Sequence, residues 1–281
     1  TLSEDNRYFF LHAEQFLASF KNSHTKLGNY GKISFQPKGY SALLLDKKFY
    51  LRRGAKIIGE ILSIDDKEPI KILNFNIRRI SSSTKQWSIV RALMFLLLDQ
   101  DRKSAYIKVK NFGGKTRIIH LKREKIVFKP FKKLDEPKLP SKQLGYIKIL
   151  AWAGEEMQSL IDKKIDYFIK DKIKALIIDV RGNGGGNSNI AKHLVSHLFN
   201  KKVLFSIAKY RTSSKSFKLR TSFNYIEPIK PYLNVPIILL VDVACFSSNE
   251  YFIGGLKDNK RAYLIGETTG GGSGNPKKFV I

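Results

Sequence analysis

The sequence has one cysteine, two tryptophans and two methionines among 281 residues. A single cysteine excludes an intramolecular disulfide framework and any cysteine-built zinc site. No apolar run approaches the ~20 residues of a membrane-spanning helix. Acidic residues are scarce: 24 Asp and Glu stand against 51 Lys and Arg, a formal charge of +27. Such an excess suits nucleic acid, anionic lipid or an acidic partner. The lysines are spread along the chain, however, with no arginine-rich tract and no nucleic-acid module. Solvated lysines of a biased composition are therefore the favoured reading, with no specific nucleic-acid partner. The opening residues, TLSEDNRYFF, lack the basic start and apolar core of a signal peptide. They read as the middle of a helix, so a longer natural N-terminus is expected.

What is present is a change of grammar part-way along. Phe9, Phe10, Ala13, Phe16, Leu17 and Phe20 recur at helical spacing, and the helix is expected to end near Lys21–Asn22. Residues 40–75 hold strand-like runs, YSALLL, KFYLRR and KIIGEILSIDD, separated by turn residues. WSIVRALMFLLL reads as a buried helix. SAYIKVKN and KTRIIHLKR, joined through Gly113–Gly114, read as a hairpin. Residues 129–142, with three prolines and several charges, read as a linker. Beyond it strands and helices alternate: LGYIKIL, EEMQSLIDKKIDYFIKD, KALIIDV, NIAKHLVSHLF, VPIILLVD, SSNEYFIGGLKDN and RAYLIGE. Near-continuous apolar strands of this kind imply a covered, largely parallel sheet.

In such sheets, sites form where strands end at their carboxyl side. Three loops there are unusual. DVRGNGGGNS (179–188) has three consecutive glycines ahead of a helix, which turns backbone amides outward. It lacks the third glycine of a dinucleotide loop and the Gly-Lys-Ser/Thr of a P-loop. An oxyanion hole, a phosphate cradle and a plain tight turn all stay open. CFSSNE (245–250) puts Ser247 and Glu250 in the Ser-x-x-Glu pattern of a capping box, which makes Ser247 an ordinary helix cap. The same position suits a nucleophile, with the Ser248 amide as an oxyanion donor. Cys245 reads as a small buried residue rather than a thiol nucleophile. TTGGGSGNP (268–276) is a glycine-rich turn at the same edge.

A serine nucleophile needs a base. His12 falls in the first helix and His120 in a strand. His193 and His197 are four apart on one helix, a spacing that can bind metal. With no HExxH and no clustered carboxylate beside them, they read as ordinary, partly exposed histidines. His24 lies in a polar loop between Ser23 and Thr25.

Taken together, DVRGNGGGNS, SSNEYFIGGLKDNKRA and IGETTGGGSGNP resemble the C-terminal processing (tail-specific) serine peptidase family. The likeness is to its branch with the tricorn core and the chlamydial secreted protease. It covers residues 144–281 almost without a break. It implies Ser247 as nucleophile and oxyanion donors at Gly184, Gly185 and Ser248. The family's lysine base would fall 25 residues past the serine, where this sequence has Gly272. The resemblance of FKNSHTKLG to the histidine loop of the tricorn-like branch therefore implies His24 as base, supported by Ser23. The acid that orients the histidine lies, in that branch, more than fifty residues past the nucleophile, so it is expected beyond Ile281. GAKIIGEILSIDDKEP resembles a stretch of the family's PDZ-like modules, with Asp66–Lys67 where a glycine is usual.

The fold expected is α/β: a crotonase-like catalytic core with a mostly parallel sheet, preceded by a smaller PDZ-like α+β region. The divisions are 1–39 (helix and histidine loop), 40–128 (PDZ-like), 129–143 (linker) and 144–281 (core). The activity implied is serine endopeptidase action on a polypeptide substrate, without metal or other cofactor. Work outside the cytoplasm is implied by the resemblance alone. The alternatives are an inactive peptide-binding or scaffold protein on the same fold, and phosphate or nucleotide binding at 182–186.

Overall fold

The computed structural model describes residues 4–27, 35–99, 101–125, 141, 143–212, 217–272 and 274. The chain divides into two compact units, residues 1–130 and 131–277. Of the expected linker, 129–143, only Ser141 and Gln143 lie within the described residues.

The first unit opens with helix α1 (Glu4–Ser19), which stops two residues before the expected end. A six-stranded sheet follows: β1 (Phe35–Pro37), β2 (Tyr40–Leu45), β3 (Lys48–Arg53), β4 (Lys56–Ile64), β5 (Ser104–Lys110) and β6 (Thr116–Lys125). Its order is β1-β6-β5-β4-β3-β2, with every pairing antiparallel. In β5, the period-2 pattern puts Ala105, Ile107 and Val109 in the core and Tyr106, Lys108 and Lys110 outward. The tight turn after β4 puts Asp65 and Asp66 at φ +48° and +63°. Asp65 is held there by Arg123 at 2.7 Å, a nearly fully buried pair.

Two helices sit between β4 and β5. α2 (Pro69–Ile77) replaces the end of what reads as a run of strands. Its signal was present: Pro69 occupies the first helical turn, where a missing N–H costs nothing. α3 (Lys85–Met94) starts where Thr84 accepts a bond from the Trp87 amide at 3.3 Å. It is shorter than the expected 87–98 helix. Leu96 and Leu97 are buried in the turn beyond it, while Met94 is exposed.

The second unit contains the alternating pattern. It comprises β7 (Leu144–Lys148), α4 (Met157–Lys170), β8 (Ala175–Asp179), α5 (Ser188–Ser196), β9 (Val203–Arg211), β10 (Leu219–Ile226), β11 (Ile237–Val241), α6 (Ser248–Asp258) and β12 (Tyr263–Gly266). The sheet runs β12-β11-β8-β7 and is parallel throughout. Ile147, Leu176, Ile178, Ile237, Leu239 and Val241 are buried in it, packed with Ile161, Ile165 and Phe168 of α4, Leu194 of α5 and Phe252 of α6. The fold is thus α/β with one parallel and one antiparallel sheet.

β9 and β10 form a separate antiparallel hairpin. Sequence reading placed no element there, because the connection TSSKSFK carries none of the Asn-Gly or Gly-Gly signals of a short hairpin. The hairpin also leaves Ile207, Tyr210 and Phe223 exposed, so it shows no clean inward face. Among the described residues no helix is long and apolar enough to cross a membrane.

Candidate active site

Ser247 lies where β11 hands over to α6. The backbone runs from Val241 through a turn that Asp242 organises. Its Oδ1 accepts from the amides of Ala244 (3.1 Å) and Gly182 (3.0 Å). Ser247 is at φ +61°, ψ −126°, a region that side chains other than hydrogen rarely occupy. A serine on a strained strand-to-helix turn is the geometry of a nucleophile elbow.

The capping-box expectation is corrected here. The Ser247 side chain makes no capping bond to α6. Glu250 does not reach back to the cap either. It turns to the glycine-rich loop, accepting from the Gly271 amide at 2.6 Å and the Thr269 hydroxyl at 2.9 Å. The loop is also tied by its backbone, Ser247 N to Gly272 O (2.7 Å) and Gly270 N to Cys245 O (2.9 Å). The 268–272 loop is therefore strapped to the serine turn from both sides.

The 182–187 loop faces the same turn. Gly185, at φ +105°, approaches so closely that a Cβ there would lie 2.7 Å from the Ser247 Cβ and 2.8 Å from the Phe246 carbonyl oxygen. Gly186, at φ +137°, lies against Trp152 and would bring a Cβ to 2.2 Å from its carbonyl oxygen. The run of glycines thus meets a packing demand as well as a conformational one.

Three buried side chains lock these loops together. Asn183 donates to the Ile149 carbonyl at 3.0 Å and accepts from the Gly185 amide at 2.8 Å. Asn249 accepts from the indole of Trp152 at 3.1 Å and donates to the Asn183 carbonyl at 3.2 Å. All three are fully buried. Sequence reading missed this network, because an asparagine on a loop normally signals only a turn.

The network changes the oxyanion expectation. The Gly185 amide is committed to Asn183, so Gly185 supplies space and not a donor. The amides of Gly184 and Ser248 make no hydrogen bond among the described residues. The phosphate-cradle reading loses ground for a similar reason. The amides of Gly182, Asn183 and Gly185 are all held by protein acceptors, one of them the Asp242 carboxylate.

At the head of the loop, Asp179 is fully buried. It accepts from Arg181 at 2.8 and 2.7 Å and from the Tyr146 hydroxyl at 2.8 Å. Burial opposes its charge, but the bonds from Arg181 and Tyr146 outweigh this and hold the carboxyl below its ordinary range. Burial and the neighbouring Asp179 push the Tyr146 hydroxyl up to about 12. Cys245 is fully buried, and burial pushes its thiol up to about 12. Its Sγ lies 3.1 Å from the Val180 carbonyl. It is a packing residue, as expected.

His24 and Ser23 belong to the first unit. Ser23 is buried. Its hydroxyl accepts from the Ser83 amide at 2.7 Å and lies 3.1 Å from the Ser83 hydroxyl. Ser81 donates to the Asn22 carbonyl at 2.6 Å, and Asn22 accepts from the His24 amide at 3.0 Å. The SSSTK segment therefore fixes the histidine loop, a role no motif announced. Partial burial and the positive charge of Lys26 hold the His24 imidazole below its ordinary value.

The other histidine pair needs a correction. His197 is buried, and the Asp162 carboxylate of α4 lies 2.7 Å from His193 Nε2 and 3.0 Å from His197 Nε2. A clustered carboxylate is present after all, contributed from 31 residues away in sequence.

Residues 143–280 match the family described as Peptidase family S41. That segment belongs to the family. The chain is 28% identical over 163 residues to the carboxyl-terminal-processing peptidase 2 of Arabidopsis thaliana chloroplasts, covering 57% of this chain and 30% of the relative. It is 26% identical over 137 residues to the carboxy-terminal processing protease CtpB of Bacillus subtilis, covering 48% and 27%. The chain thus spans about a third of the length of these curated relatives. Among solved structures, mature CPAF complexed with lactacystin shares the fold at a TM-score of 0.74 and 16% identity, covering 94% of this chain and 75% of that one. The three loops that meet at Ser247 all fall within the S41 segment.

Proposed function

We propose that this chain is a serine peptidase that cleaves peptide bonds through an acyl-enzyme formed on Ser247. The observation that carries the reading is the strained Ser247 backbone, at φ +61° and ψ −126°, without a capping bond. Strain at a serine persists only where surroundings over-determine it, and here Gly185, Gly272 and the Asn249 network do so. In the proposed reaction the Ser247 hydroxyl attacks the scissile carbonyl. The amides of Gly184 and Ser248 hold the oxygen as it becomes negative. Family membership supports the reaction class.

His24 is proposed as the base, with Ser23 positioning its loop. The motif FKNSHTKLG supports that choice, and a lowered imidazole pKa favours the neutral form that accepts a proton. The proposal also takes 144–281 as a crotonase-like core and 40–128 as a PDZ-like region. A polypeptide substrate and action outside the cytoplasm belong to the same reading.

The test is labelling with a serine-reactive fluorophosphonate, paired with turnover of an unfolded protein substrate. Wild type should label at Ser247, and Ser247→Ala should lose both label and turnover. A wild-type protein that folds but neither labels nor cleaves would favour the alternative, an inactive peptide-binding protein on this fold.

A further inference from the structure

Outside the serine site, the second unit brings together three side chains whose chemistry the peptidase reading does not use. His193 and His197 are one turn apart on α5, and Asp162 faces them from α4. One ligand atom from each lies within 4.8 Å of the others. The same carboxylate oxygen, Asp162 Oδ1, is the near neighbour of both Nε2 atoms.

His197 is anchored from its far side. Its Nδ1 lies 2.8 Å from the Pro231 carbonyl, which can only accept, so Nδ1 carries the proton. Its Nε2 therefore lies on the opposite edge of the ring, 3.0 Å from Asp162 Oδ1. A backbone carbonyl on the far nitrogen is also how proteins orient a metal-binding imidazole.

We propose that Asp162, His193 and His197 bind a divalent transition metal of the zinc class. Two imidazoles and one carboxylate suit Zn²⁺ and exclude a soft, thiolate-preferring ion. Tetrahedral ligands about 2.0–2.1 Å from zinc lie about 3.3 Å apart. Asp162 must therefore withdraw by a few tenths of an ångström from its present contacts. Its side chain is 46% exposed and so has room to move, and its exposure gives an ion a way in. His197 is 2% exposed and supplies the fixed point. Three protein ligands leave a fourth position for water. The bound ion would clip α4 to α5, the helix that begins straight after the glycine loop.

The test is titration of the chelator-treated, full-length chain with Zn²⁺ alone, followed by calorimetry and thermal unfolding. One equivalent should bind, and saturation should raise Tm by about 5 °C, since binding only to the folded state stabilises it. Asp162→Asn and His193→Asn should each weaken binding by at least ~10-fold. His12→Asn with His120→Asn should leave it unchanged. Absence of stoichiometric binding would overturn the proposal. So would binding that survives both site variants, or that disappears with His12 and His120. Circular dichroism of each variant separates loss of the site from loss of the fold.

Discussion

At Ser247 the side chain and the backbone have opposing interests. The hydroxyl requires a residue with a Cβ, yet φ +61° and ψ −126° suit glycine. Ser247→Gly should therefore raise stability by about 1 kcal/mol while abolishing turnover. Ser247→Ala should change stability by less than about 0.5 kcal/mol, because no cap is lost. Urea denaturation of the three proteins checks the order, and a Ser247→Gly midpoint below wild type would contradict it. Asp179 is a second residue whose surroundings decide its role. Its folded pKa is lowered, so its ionised form contributes stability above its unfolded value of about 3.9, and loses it as pH falls through the lower folded value. Asp179→Asn should cost about 1–2 kcal/mol at pH 7, the partly exposed Arg181 being discounted for solvent. The gap from wild type should close in acid below pH 4. A gap independent of pH would show that shape, not charge, is what Asp179 supplies.

At the scale of elements, the serine site is a meeting of three strand-end loops. Strand placement was legible, because VPIILLVD and KALIIDV are apolar on both faces and so belong inside a covered sheet. The glycine run was legible as special but not in its role. Its amides turn out to be largely committed, and Gly185 matters for closeness. Gly185→Ala should thus strain the loop directly. With φ +105° and a contact of 2.7 Å to Ser247, it should lower stability by more than about 1 kcal/mol and reduce fluorophosphonate labelling. Labelling at the wild-type rate would show that the approach is incidental. The end of α6 explains another motif, DNKRA. Arg261 donates to the carbonyls of Leu198 (2.5 Å), Val235 (2.9 Å) and Leu233 (2.7 Å), fastening two segments with one guanidinium.

For the whole molecule, the proposed base is His24 of the first unit. If His24 is the base, the acid limb of kcat/KM should fall below pH 6.5, because burial and Lys26 lower its pKa and the neutral form must persist into mild acid. His24→Gln should cost ~10²–10⁴-fold in turnover. A limb at or above the ordinary histidine value, or an active His24→Gln, would remove His24 from the mechanism. The net charge of +27 makes its own prediction. Retention on duplex DNA should be independent of base sequence and fall by at least ~10-fold between 50 and 200 mM salt. Sequence-selective binding at the higher salt would mean that the lysines are organised after all.

The alternation of strands and helices in the second half and the burial of its parallel strands followed from the sequence by itself, whereas α2 and the β9–β10 hairpin did not, and Ser247 was singled out only through the family resemblance. The alternation and the burial depend on local periodicity and on residue types that tolerate few environments. The tertiary structure alone decided which polar groups were already taken. The Ser-x-x-Glu pattern reads as a cap in one dimension, but Glu250 bonds a loop about twenty residues onward. The His-x-x-x-His pair reads as unpartnered until α4 brings Asp162 to it. In each case a side chain chose a distant partner over a near one. Hydrogen-bond acceptors are satisfied by whatever donor the packed fold places within about 3 Å, and sequence spacing does not encode that distance.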